Sequence, residues 1–259
     1  MAPTIILITG ANRGIGKGLL QLYLAKPNHT VIVGNRDPDH PTSKELTELP
    51  KAEGTSLILL KIDALVRTDP SDAVKSLEAQ GIDHVDIIIA NAGIKLSGPA
   101  VREVESEDIQ RHIDVNVYGF LWLFQAFRPV LMKSKAPTWV TIGSSAAFLT
   151  VMSDTCIIDE GSISSNPAIS CRNFVRFHNS AYAPTKLMLH WYTEAMHIEE
   201  PWLTAFPIDP GWVQTRIGSG IAPLTVDESV SGMIKVIDSA SRETHGGKLW
   251  SYTGSVVPW

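Results

Sequence analysis

The chain has 259 residues, 44% of them hydrophobic, and carries 22 Lys and Arg against 27 Asp and Glu for a net charge of −5. That length holds one large α/β domain or two small ones, and the acidic balance disfavours a nucleic-acid partner, whose phosphates select basic patches. No apolar run approaches the ~18 residues of a membrane span, and the first strand-like run begins by Thr4, too early for a signal peptide. These readings predict a cytoplasmic protein acting on a small molecule, away from membranes.

Seven short apolar, β-branched runs recur along the chain, at residues 4–10, 29–35, 56–62, 85–91, 138–144, 203–209 and 248–252. Each is apolar throughout, as expected of strands buried on both faces. Helix-period segments lie between them at Gly16–Lys26, Asp69–Gln80, Glu105–Met132 (broken near Gly119), Tyr182–Ile198 and Val226–Ala240. Strand alternating with helix predicts an α/β fold, a single-domain, Rossmann-type, doubly wound parallel sheet of about seven strands. The irregular stretch 148–179, rich in Ser, Asn, Ile and Pro, reads as an insertion within that domain, either a flap beside the site or a plain surface loop. It contains both cysteines, Cys156 and Cys171. A local disulfide there is conceivable, but a reducing compartment favours two thiols. No CxxC occurs and the eight His show no ligand spacing, so no metal site is expected.

Chemistry is concentrated at three places. Gly10, Gly14 and Gly16 follow the first strand and open a helix. Glycines there let the backbone turn tightly and approach a pyrophosphate facing the helix N-terminus. The spacing fails as a P-loop, because Ala11 stands at a required Gly and Gly18 where Ser or Thr should follow Lys17. The second strand ends Gly34-Asn35-Arg36-Asp37. Arg36, joined by Arg13, suits the 2′-phosphate of NADP, whereas an acid there suits the ribose of NAD; Asp37 could instead pair with Arg36. Tyr182 and Lys186 stand one helical turn apart, so phenol and ammonium share a face. A neighbouring cation is expected to pull the phenol below its usual ~10 and make it a usable acid and base.

TGANRGIG, Asn91-Ala92-Gly93, Asn116, Gly143-Ser144, Tyr182-x-x-x-Lys186 and Pro210-Gly211 occur in the order seen in short-chain dehydrogenases/reductases, a family this chain resembles over essentially its whole length. WLTAFPIDPGWVQT and the terminal VPW look more narrowly like fungal norsolorinic acid ketoreductases, and the insertion like that of monomeric carbonyl reductases. The resemblance implies NADP(H) bound by Gly10, Asn12, Arg13, Gly14, Ile15, Gly16, Arg36, Asp63, Asn91, Ala92, Gly93, Tyr182, Lys186, Val213 and Thr215. Asp63 would meet the adenine amino group, and Val213 and Thr215 the carboxamide and phosphates. It implies Tyr182 as proton donor, Lys186 as its modulator and ribose ligand, Ser144 as the group polarising the carbonyl, and Asn116 as holder of a relay water. Ser145 is the rival to Ser144, since a one-residue slip reverses the face. Asp209 has no assigned part. The helix of Tyr182 would start near Ala181, capped by Asn179 or Ser180, which makes Pro184 tolerable in its first turn. The implied activity is reduction of a bulky or aromatic ketone or aldehyde. An NAD-dependent alcohol dehydrogenase and a non-catalytic NADP-binding regulator are the alternatives. A homodimer is the family habit, and an insertion at the helix entrance would leave a monomer.

Overall fold

The computed structural model describes residues 2–96, 98–150 and 179–259. Seven parallel strands form one sheet in the order β3-β2-β1-β4-β5-β6-β7, as the alternating pattern predicts. They are β1 (Thr4–Thr9), β2 (His29–Asn35), β3 (Ser56–Lys61), β4 (Ile87–Ala90), β5 (Thr138–Ile142), β6 (Thr204–Asp209) and β7 (Trp250–Ser251). The last is shorter than its apolar run suggests. Strand order reverses between β1 and β4, where a crevice opens beyond the strands' carboxyl ends.

Alternation along each strand divides the core into two layers. Leu7, Ile32, Ile88, Trp139 and Ala205 face one side, with Phe120 and Phe127 of α5 (Gly119–Leu131) and Leu189 of α6 (Tyr182–Glu199). Ile6, Ile8, Val31, Val33, Val140 and Phe206 face the other, under α1 (Gly14–Leu24) and α7 (Val226–Asp238). Helix α7 starts at a reciprocal capping box between Thr225 and Glu228, which satisfies two N-terminal amides at once. Helix α3 (Asp69–Ala79) covers β3. The four-residue helices α2 (Pro41–Lys44) and α8 (Arg242–His245) were invisible to periodicity because they span a single turn.

The long helical pattern does not break at Gly119. Helix α4 (Ser106–His112) passes through a π-helical stretch, Ile113–Tyr118, directly into α5. Gly119 marks a close approach instead. A Cβ there would lie 2.6 Å from the Ala64 Cβ and 2.7 Å from its carbonyl oxygen, so this helix can rest on the loop after β3 only if residue 119 has no side chain. Gly119→Ala is expected to cost about 1–3 kcal/mol of stability through overpacking, read as a lower denaturation midpoint; an unchanged midpoint would mean the loop yields freely.

Helix α6 begins at Tyr182, but neither expected side chain caps it. The cap position is Ala181, with no side-chain bond. The main-chain carbonyl of Asn179 takes the amides of Tyr182 and Ala183, and the Ser180 hydroxyl donates to Pro99 O at 3.0 Å. Pro184 then falls in the first turn, where a missing N–H costs nothing. Most of the insertion at 148–179, with both cysteines, lies outside the described residues. Among the described residues no helix is long and apolar enough to cross a membrane.

Candidate active site

The crevice at the strand reversal has a volume of about 810 Å³, within the size range of small-molecule sites. Its nucleotide end is built on the turn after β1. Gly10 and Gly14 take φ of +65° and +53°, a region L side chains avoid. A Cβ on Gly16 would sit 2.5 Å from Gly10 O and 2.6 Å from the Asn91 side-chain nitrogen, so the helix start presses against the sheet. Asn91 braces this turn: its amide donates to Thr9 O at 2.8 Å and Gly10 O at 3.2 Å. The Thr9 hydroxyl in turn accepts the backbone amides of Asn91 and Ala92. Asn35 holds the other flank, accepting the Ala11 amide at 3.0 Å. The Asn12 side chain is drawn to Thr42, at 2.9 Å.

Five cationic side chains line the crevice (Arg13, Arg36, Lys95, Lys186 and Arg216) against two acids, Asp37 and Asp63, in a chain of net charge −5. Arg36 does not pair with Asp37; among the described residues neither Arg13 nor Arg36 forms an ion pair. Asp37 instead accepts the Asp39 amide. One Asp63 oxygen accepts the Leu65 amide at 3.0 Å. The glycine cradle and the unpaired guanidiniums fit a dinucleotide in shape and in charge.

The chemical end brings β5, α6 and the turn after β6 together. Beyond β5, Ser144 opens a 3-10 turn (Ser145–Ala147), with its hydroxyl oxygen accepting the Ala146 amide at 3.2 Å. The Ser144 hydroxyl lies close enough to the Tyr182 phenol to lower its pKa. Ser145 also lines the crevice, but its amide is tied to the carboxylate of Asp209 at 2.9 Å, whose pKa its hydroxyl helps to lower. Gly93 and Lys186 lie close together, since a Cβ on Gly93 would be 3.8 Å from the Lys186 ammonium. Val213 and Thr215 reach the same crevice from the loop after Gly211, where the Thr215 hydroxyl accepts the Gly218 amide at 3.1 Å.

One expectation needs correction. The phenol is not pulled down by Lys186: burial raises the Tyr182 pKa to about 12, the Ser144 hydrogen bond opposes this, and the charge of Asp209 adds to it. Lys186 donates its ammonium to Ile142 O at 2.8 Å and lies 5.8 Å from the Tyr182 ring centre. Its own pKa falls to about 8 through burial, so at neutral pH the buried ammonium is only modestly favoured. Asn116 does not line the crevice. Its amide oxygen accepts the Ile94 amide at 2.8 Å, and its nitrogen donates to Ile94 O and the Thr185 hydroxyl. Both ends of the side chain are engaged, which makes it a strut between the loop after β4 and α6.

Because the fold depresses the Lys186 pKa below the unfolded 10.5, the charged form opposes folding. The stability conferred by the neutral amine is complete above pH 10.5 and is lost as pH falls through 8. Lys186→Met is therefore expected to be more stable than the parent near pH 7, by about 3 kcal/mol for a shift from 10.5 to about 8 at roughly 1.4 per pKa unit, with the difference vanishing above pH 10.5. Melting curves across that range check it; a variant less stable at pH 7 would show that hydrogen bonding outweighs desolvation.

A strand–glycine turn–helix cradle beside a Ser–Tyr–Lys cluster defines a dinucleotide-dependent oxidoreductase. The short chain dehydrogenase family model matches residues 4–156, and the chain belongs to the short-chain dehydrogenase/reductase family. It is an oxidoreductase of that family, whose members bind a nicotinamide cofactor. It is 38% identical to the norsolorinic acid ketoreductase of Dothistroma septosporum, over 99% of this chain and 92% of that one. It is 35% identical to a short-chain dehydrogenase of Pyricularia oryzae, over 99% and 98%. Among solved structures, NADPH-bound carbonyl reductase from chicken fatty liver superposes with a TM-score of 0.81 at 25% identity, covering all of both chains.

Four residues that shape this site escaped the sequence reading or were given no role: Thr9, Asn35, His190 and Asp209. Thr9 and Asn35 fell within strand-like runs and were given no part. His190 stands four residues beyond Lys186, so the helical spacing that found Tyr182 and Lys186 pointed to it as well.

Proposed function

We propose that the protein is an NADPH-dependent ketoreductase acting on a ketone or aldehyde. The observation that carries this reading is a single crevice that joins the glycine turn, Arg13 and Arg36 to Ser144, Tyr182 and Lys186. Burial pushes the Tyr182 phenol up to about 12, so it is protonated at neutral pH and able to donate to a substrate oxygen. A bound nicotinamide dinucleotide would supply the hydride.

Tyr182 then donates its proton to the substrate oxygen as negative charge builds there. Ser144 donates a second hydrogen bond to the same oxygen, where it is worth most in the transition state. One of its two lone pairs takes the Ala146 amide, which leaves its proton to give to the substrate oxygen. Lys186, held by Ile142 O, offers its remaining donors to the ribose hydroxyls and stabilises the phenolate left after proton transfer. A relay water at Asn116 would have to bind its main chain, because both ends of the side chain are occupied. Arg13 and Arg36 would grip the 2′-phosphate. The apolar stretch Ile221-Ala222-Pro223 and Trp212 beside the crevice, together with the ketoreductase relatives, favour a bulky aromatic ketone.

Assays of NADPH consumption against aryl ketones, aldehydes and quinones test the activity. Ser144→Ala is expected to lower kcat about 100-fold, whereas Ser145→Ala, which leaves the hydroxyl of Ser144 in place, should cost far less. The reverse ranking would hand the carbonyl contact to Ser145.

A further inference from the structure

The turn that carries Ser144 is held by side chains rather than by a strand ladder. Three consecutive amides are each satisfied by a side-chain acceptor. Ser144 N–H donates to His190 Nε2 at 3.3 Å, Ser145 N–H to Asp209 Oδ1 at 2.9 Å, and Ala146 N–H back to Ser144 Oγ at 3.2 Å.

Tyr182, Lys186 and His190 follow one another at intervals of four along a single face of α6. His190 is fully buried. Its ring lies against Gly143, where a Cβ would sit 2.5 Å from Nε2, and is flanked by Trp259 and Phe148 at ring-centre distances of 5.6 and 6.1 Å. Burial, with the Lys186 charge adding to it, lowers its pKa to about 3. The imidazole is thus neutral at working pH, and acceptance at Nε2 assigns its proton to Nδ1.

Asp209 closes the other side. Its carboxylate takes the amide of Ser145, and the Ser145 hydroxyl and the Gly211 amide help to lower its pKa, tying the serine turn to the turn after β6. It has no ion pair among the described residues. The titratable group it acts on is Tyr182 of α6.

We propose that His190 and Asp209 are positioning residues for the reaction, which clamp the adjacent amides of Ser144 and Ser145 and so fix the Ser144 hydroxyl on the Tyr182 phenol. The proposal rests on the role given above to Ser144. Donors act fully only where the reacting atoms are held to within fractions of an ångström. A turn fastened by two side chains can be loosened by changing either one.

The test measures kcat, the KM for NADPH and the pH profile of carbonyl reduction for His190→Leu, His190→Gln and Asp209→Asn, with His190→Leu made also in the Ser144→Ala background. His190→Leu, which orphans the Ser144 amide, is expected to lower kcat about 10- to 100-fold with the KM for NADPH unchanged. Glutamine, whose Oε1 can replace Nε2 as acceptor, should restore most of the loss. Asp209→Asn keeps an acceptor for the Ser145 amide but removes the charge near Tyr182. It should retain kcat within about tenfold and move the alkaline limb to lower pH.

Once Ser144 lacks its hydroxyl, there is nothing left to position. His190→Leu should then cost no more than about twofold further. A full His190→Leu loss in the Ser144→Ala background would overturn the proposal. So would a Gln variant that melts like the parent yet is as slow as Leu. If Ser144→Ala by itself leaves kcat unchanged, the role of Ser144 fails first, and that result is read before any second substitution is made. Should His190→Leu not fold, the Gln and Asn variants still decide the question through kcat and the pH profile.

Discussion

Tyr182→Phe is expected to lower kcat/KM for carbonyl reduction by about 10²- to 10⁴-fold while NADPH binds almost as before. The magnitude is that of losing a general acid from a bound reactant pair. The selectivity follows from the position of the hydroxyl. The ring itself is buried against the site (7% exposed) and Phe preserves its packing; the oxygen's partner is Ser144, not the glycine cradle. Fluorescence titration with NADPH separates the two effects. Turnover persisting in this variant would remove the phenol from the chemistry, and a large loss of cofactor affinity would make it a binding group instead.

The second large effect is expected at the opposite end of the crevice. Replacing Arg13 and Arg36 together with Ala should raise the KM for NADPH on the order of 10²- to 10⁴-fold and leave the KM for NADH nearly unchanged. Each charged hydrogen bond of this kind is worth roughly 1.5–3 kcal/mol, and neither guanidinium has an acidic partner within the described residues to offset its loss. A parent enzyme that uses NADH and NADPH equally would refute the reading of Arg36. It would also revive the NAD-dependent dehydrogenase alternative, with Asp37 then the residue to examine for a ribose contact.

What the sequence disclosed depended on how local the physics is. Strands β1, β2, β4, β5 and β6 are largely buried on both faces, so their apolar runs marked them directly; β3, at the sheet edge, is only half-buried but keeps its apolar run. The glycine turn was equally legible, because positive φ at Gly10 and Gly14 is a property of the backbone there. The π-helical stretch at Ile113–Tyr118 was not, since one extra residue in a helix leaves its amphipathic pattern nearly intact, and Gly119 looked like a break when it was a contact with Ala64.

The Tyr182 pKa went the wrong way for a related reason. Spacing on a helix places two groups near one another, but it says nothing about how deeply they are buried, and here burial is the largest influence on the phenol. Choosing between Ser144 and Ser145 likewise needed the partners, Tyr182 on one side and Asp209 on the other. His190 and Asp209 were passed over because each acts through the backbone of a residue distant in sequence, 46 positions away for one bond and 64 for the other.

The most direct test is a crystal structure of the protein with NADP⁺ and a carbonyl inhibitor. The account predicts the 2′-phosphate between Arg13 and Arg36, and the inhibitor oxygen within about 3 Å of both the Tyr182 and Ser144 hydroxyls, on the nicotinamide side of the crevice. A carbonyl oxygen held by other groups, with the Tyr182 hydroxyl turned away from the nicotinamide, would contradict it.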